Sequence, residues 1–79
     1  MTGVQVASTL DCRGLACPLP VIKLSKAIKG LPVGAAIEML ATDPGAVADL
    51  EAYQKQTGHR LLEWSESNGV FRFLVQRAK

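Results

Sequence analysis

The chain has 79 residues, 48% of them hydrophobic and 20% charged, with a formal net charge of +2. That length allows one domain, 1–79, with no room for a separate substrate domain, and a core covering around 60% of the unfolded surface. This composition excludes a disordered chain, the small charge and scattered aromatics exclude a stacking platform for nucleic acid, and no apolar run reaches membrane-spanning length.

The opening residues Met1-Thr2-Gly3-Val4-Gln5 have neither the cationic start nor the apolar block of a signal peptide, so the expected location is cytoplasmic. In that reducing compartment the cysteines Cys12 and Cys17 are expected to be reactive or buried, not joined in a structural disulfide. Residues 4–10 place Val4, Val6 and Leu10 on one parity and predict a first strand with one buried face.

The next stretch, Asp11-Cys12-Arg13-Gly14-Leu15-Ala16-Cys17-Pro18-Leu19-Pro20, combines a candidate nucleophile with an unusual backbone. Prolines at positions 18 and 20 would break a helix interior, yet both fit a first turn, whose N–H groups have no intrahelical partner to lose. A helix is therefore expected from Pro18, with Cys17 at its N-cap or within a residue of it. The positive end of the helix dipole, with Arg13 and Lys23 placed to add positive potential, is expected to lower the thiol pKa. The bland reading of Cys17 is a small buried hydrophobe; its place before a proline in a turn favours the nucleophile. Cys12 reads either as a packed or idle side chain or as a resolving thiol, five positions from Cys17.

From Pro18 the spacing turns helical. Val21, Leu24, Ile28 and Leu31 form one stripe, and Gly30 with Pro32 ends it. Lys23, Lys26 and Lys29 form a basic ridge on the other side, beside Leu19 and Ile22. Two readings stand for this face: a small docking surface, or solvated lysines with Ile22 tucked under a loop.

Residues 35–42 predict a second strand, with Ile37, Met39 and Ala41 on one face and Glu38 on the other. Asp43 suits an N-cap and Pro44 a first helical position, so a second helix is expected from Pro44 to Gln56, stopped by Gly58. Its buried stripe would contain Ala46 or Val47, Leu50 and Tyr53, leaving Asp49, Glu51 and Lys55 outward. Residues 59–66 and 70–76 alternate around Asn68-Gly69, a strong hairpin signal, with Phe71, Phe73 and Val75 inward opposite Leu62 and Trp64.

The order βαβαββ predicts an α/β two-layer sandwich: a four-stranded mixed sheet, parallel in its first pair and antiparallel in its hairpin, with two helices on one face. The cysteines and the single histidine, His59, do not form a zinc pattern, and Val33-Gly34 lacks phosphate-loop spacing, so neither a metal nor a nucleotide is expected. No spacing matches a cysteine hydrolase, His59 reads as a surface or edge residue, and the carboxylates read as caps or solvated positions. What is left is a thiol able to accept and pass on a group.

Leu10 to Pro20 resembles the signature of the TusA/SirA-like family of small sulfur carriers, defined by a Cys-Pro-x-Pro motif near the N-terminus. The resemblance runs from about Val6 to Arg77 and includes Asp43-Pro44, Thr57-Gly58-His59 and Gly69-Val70-Phe71. It implies the same two-layer sandwich and a persulfide on Cys17, with no cofactor beyond that covalent sulfur. Sulfur would come from a cysteine desulfurase or a rhodanese-like sulfurtransferase. It would pass to acceptor proteins in tRNA thiolation, molybdenum-cofactor synthesis or sulfur oxidation, the chain acting with partner enzymes and not as an autonomous catalyst. Cys12 matches no catalytic position of the family. On this reading Leu19, Ile22, Lys23 and Lys26 dock partners weakly enough to release them. The alternatives are a thiol–disulfide switch using Cys12 and Cys17, and a non-catalytic regulatory adaptor in which the motif is only a rigid helix start.

Overall fold

A computed structural model describes residues 6–79; Val4, assigned above to the first strand, lies outside the described residues. The elements are β1 (Val6–Cys12), α1 (Leu19–Ile28), β2 (Ala36–Ala41), α2 (Ala46–Thr57), β3 (Arg60–Ser67) and β4 (Val70–Gln76). They form one four-stranded sheet in the order β1-β2-β4-β3. β1 and β2 are parallel, while β4 runs antiparallel to both β2 and β3. The predicted α/β architecture is the one observed.

The core follows from the two periodicities. Ile37, Met39 and Ala41 of β2 and Phe73 and Val75 of β4 share one face of the sheet and are buried. Leu24 and Ile28 of α1 and Ala46, Leu50 and Tyr53 of α2 close over that face in a single cluster. Val21 and Leu31, expected on the buried stripe of the first helix, are half-buried against this cluster.

On the other face a polar ladder crosses all four strands. Thr9 donates to Glu38 at 3.0 Å, Glu38 pairs with Arg72, and Arg72 reaches Glu63 at 3.5 Å. The Arg72 guanidinium is the main reason the Glu38 carboxyl lies below its usual range.

Two irregularities change the predicted faces. Pairing shifts between Val6 and Ser8, which puts Val6 out of phase with Leu10 and Cys12 and leaves it 45% exposed. A second shift, between Leu61 and Glu63, sets Leu61 opposite Val75 while Trp64 stays opposite Phe73. Trp64 thus keeps its expected place, and Leu61 takes the inward position assigned above to Leu62.

The helix starts also differ from expectation. Pro18 is the N-cap of α1: its carbonyl accepts the first helical bond, from the N–H of Ile22 at 3.2 Å, so the helix begins at Leu19. α2 begins at Ala46 with Gly45 as its N-cap, two residues later than expected, so Asp43 is not the cap; one Asp43 oxygen accepts the Gly45 N–H in the turn before the helix and the other accepts the Cys17 N–H. The predicted stop holds: Gly58 is left-handed at φ 81°, and its N–H bonds the carbonyl of Gln54.

Candidate functional site

The loop between β1 and α1 is tied down by the segment that leaves β2. The N–H of Gly14 donates to Thr42 Oγ1 at 2.9 Å, and the N–H of Cys17 donates to Asp43 Oδ2 at 2.8 Å. The second oxygen of the same carboxylate accepts the N–H of Gly45 at 2.9 Å. β1 and β2 are parallel neighbours, so the loops after them emerge at the same end of the sheet, where side chains of one can satisfy the backbone of the other. These two backbone donors hold Asp43 below its ordinary pKa.

Cys17, so held, is exposed one residue ahead of the Pro18 cap, and the Cys17–Pro18 peptide is cis. Its thiol faces α2, where Sγ donates a hydrogen bond to Asp49 Oδ2. The expected lowering of the thiol pKa is therefore reversed. The hydrogen bond to Asp49 pushes it up first, followed by desolvation and by the negative charges of Asp49 and Asp43. Two carboxylates, Asp49 and Asp43, lie close enough to the sulfur to act on it.

The supposed activators lie elsewhere. Arg13 grips Asp11 through two contacts of 2.9 Å, and its own N–H adds a third bond of 3.1 Å, which lowers Asp11 to about 2. Lys23 exerts its electrostatic effect on Cys12. Pro20, expected only as a first-turn backbone device, is also a fully buried side chain.

Cys12 is fully buried at the end of β1, in register with Ala41 and part of the core cluster; burial raises its thiol pKa. Both cysteines are free. A resolving role for Cys12 would require the end of the strand to open. His59 is half-buried, its Nδ1 accepting the N–H of Ala78 at 3.1 Å.

Around the thiol the surface is open. Leu19 is 46% and Ile22 45% exposed, and with exposed Lys23 and Lys26 they form one stripe of α1 leading away from Cys17. On the other side, Pro18, Val21, Asp49, Ala52, Tyr53 and Gln56 line a shallow depression of about 210 Å³ between the helices. Among the described residues, no group of three or more His, Cys, Asp or Glu side chains is gathered as metal ligands, and no helix is long and apolar enough to cross a membrane.

Asp43 and Asp49 are the site residues that sequence reasoning assigned to other tasks. For Asp49 a signal existed: it adjoins Leu50 and lies three positions after Ala46, at the edge of the buried stripe of α2 and not opposite it. For Asp43 the local pattern gave half of its role: one oxygen does hold the turn before α2 at Gly45, and the other reaches across the fold to Cys17.

Residues 8–77 match the family model described as sulfurtransferase TusA. A protein of Neisseria meningitidis serogroup A is 49% identical over 70 residues, covering 89% of this chain and 95% of its own length. The sulfur carrier protein TusA of Allochromatium vinosum is 42% identical over 69 residues, covering 87% and 91%. The crystal structure of a SirA-like protein from Desulfitobacterium hafniense superposes with a TM-score of 0.78 at 26% identity, over 91% of this chain and 99% of that one. With the same fold, the same order of elements and a family match over nearly its whole length, the chain belongs to the TusA/SirA-like family of sulfur carriers.

Proposed function

We propose that Cys17 is the sulfur handle of this carrier, accepting sulfane sulfur as a persulfide and relaying it to an acceptor protein. The observation that carries this reading is the pairing of one exposed thiol with one buried thiol: Cys17 stands open on a loop fastened by Thr42 and Asp43, while Cys12 is enclosed in the core. Sulfur exchange between proteins depends on thiol access and ionisation more than on a deep pocket. A pinned but open thiol suits it. Enclosure of Cys12 likewise favours a single-thiol carrier over a Cys12–Cys17 switch.

The donor in this reading is a cysteine desulfurase or a rhodanese-like sulfurtransferase, and the destination is tRNA thiolation, molybdenum-cofactor synthesis or sulfur oxidation. The carrier works in the cytoplasm, on proteins and not on nucleic acid or membranes, and needs no cofactor beyond the covalent sulfur. Leu19 and Ile22 supply an apolar contact and Lys23 and Lys26 a screened electrostatic one, a combination suited to brief docking. The test is intact-mass measurement after incubation with each donor class. Wild type should gain the mass of sulfur and Cys17→Ser should not; a wild type that gains nothing from any donor overturns the reading.

A further inference from the structure

Among the described residues, Asp49 is a carboxylate with no salt-bridge partner. Among the described residues the only hydrogen bond of its carboxylate is the one it accepts from the Cys17 thiol, and no Lys, Arg or His pairs with it. It is half-buried on α2 in the wall of the depression between the helices. Asp43, the other carboxylate near the sulfur, has both oxygens filled by the N–H groups of Cys17 and Gly45. Only Asp49 is thus free to respond to the state of the sulfur.

We propose that Asp49 is the positioning residue that makes the empty and loaded carrier different, holding the empty Cys17 thiol against α2 by a hydrogen bond and turning the loaded cysteine outward. This rests on the persulfide reading of Cys17. In loading, Cys17 sulfur attacks the outer sulfur of a donor R–S–SH and a new S–S bond forms on Cys17. The donor S–S bond breaks, its electron pair leaves on R–S⁻, and that thiolate takes up the proton Cys17 gave up. Cys17–SH and R–S–SH become Cys17–S–SH and R–SH, with no external oxidant or reductant.

The inner sulfur of the product carries no hydrogen, so the bond to Asp49 Oδ2 cannot re-form there. The outer sulfur ionises more readily than a thiol, and its anion is repelled by the Asp49 carboxylate at close range. Loading therefore changes the contact from attraction to repulsion. The empty thiol, though exposed, stays held against α2; the loaded sulfur swings from α2 toward an approaching acceptor. The groups facing this sulfur are Asp49 from α2 and Asp43 from the loop before it, while Arg13 is occupied by Asp11 and Lys23 acts on Cys12.

Asp49→Asn replaces a carboxylate that accepts from the thiol and repels an anion with an amide that can donate to either anionic sulfur. Two uncharged reagents read the two states. Iodoacetamide alkylation of the empty carrier across pH should shift to lower pH in Asp49→Asn by about one unit, a roughly tenfold gain in thiolate near neutrality. Removal of the outer sulfur from the loaded carrier by a neutral phosphine should be several-fold slower in the same variant. A role confined to folding would move both rates in one direction.

Asp49→Glu, which restores the charge, should return both rates toward wild type, and circular dichroism checks that each variant is folded. An unmoved alkylation profile, or two rates that change together, overturns the proposal. Failure of wild type to take up sulfur would overturn the carrier reading and the loaded half of the proposal, while alkylation still decides whether Asp49 restrains the empty thiol.

Discussion

Asp43 and Cys17, 26 positions apart, are joined by a hydrogen bond of 2.8 Å from the backbone N–H of Cys17 to Asp43 Oδ2. The same carboxylate holds Gly45 at 2.9 Å, so one side chain fixes both the loop that carries the thiol and the turn that starts α2. The position of the sulfur is therefore set by β2 as much as by its own loop. A reactive cysteine displayed for partners has to be exposed without being loose, and backbone hydrogen bonds to a charged acceptor meet that requirement.

Asp43→Ala should lower stability at neutral pH and loosen the thiol loop. Its pKa is depressed by the two backbone donors, so the contribution of Asp43 is present above the unfolded carboxylate range and is lost as pH falls through the depressed value. Urea midpoints of wild type and variant should differ near neutrality and converge in strong acid. Amide hydrogen exchange at Cys17 and Gly45 should quicken in the variant. An equal stability gap at both pH values would show that Asp43 acts through something other than its ionised hydrogen bonds.

Native thiol titration should find one reactive cysteine, with the second appearing only in denaturant, because Cys12 is enclosed while Cys17 is exposed. Cys12→Ala should load sulfur as wild type does. Cys12→Ser, which buries a hydroxyl in an apolar cluster, should cost about 1–3 kcal/mol in chemical denaturation. Loss of loading in a folded Cys12→Ala variant would restore a two-thiol mechanism.

A side chain at position 45 would crowd the thiol from the α2 side. A Cβ at this position would stand 3.3 Å from Asp43 Oδ1, 3.6 Å from the Cys17 Cβ and 3.9 Å from its sulfur. Gly45 has an ordinary right-handed backbone, so a side chain here meets a spatial obstacle and not a backbone one. Gly45→Val should retain the fold but slow both alkylation and sulfur loading, with the larger effect for the bulkier reagent. Equal rates for small and large reagents would refute the shielding argument.

Much of this arrangement was legible because its causes are local. Two prolines beside Cys17 identify a helix start, Gly58 ends α2 in a left-handed conformation, and Asn68 with Gly69 turns the hairpin at φ 53° and 81°. What the sequence hid is tertiary. The pairing shifts that turn Val6 outward and put Leu61 in the place of Leu62 are local irregularities in strand pairing, which break the alternation that a regular strand would keep. Asp49 looks like a solvated helix residue until α1 and α2 are packed side by side. Its contact with Cys17 is the first cause of a pKa direction opposite to the one inferred from the helix dipole, Arg13 and Lys23. Arg13 was assigned to the thiol by proximity in sequence, but Asp11, two residues away, is the nearer charge in space.

Reversing charge at Lys23 and Lys26 together should slow sulfur transfer from a protein donor several-fold at low salt and leave the fold unchanged, since both side chains are exposed on the stripe that leads from Cys17. The difference from wild type should shrink as salt screens the contact. Loading by a small persulfide should be unaffected. Unchanged transfer from the protein donor at low salt would remove these lysines from the docking surface.

The most direct measurement maps the sulfur itself. The carrier is loaded by a rhodanese-like donor, desalted, digested without reductant and analysed by peptide mass, with a second aliquot treated first with a purified acceptor or with cyanide. The account predicts added sulfur on the peptide containing Cys17, none on Cys12, and complete loss of that sulfur on discharge. Sulfur found on Cys12, or held on Cys17 in a form that neither acceptor nor cyanide removes, would contradict it.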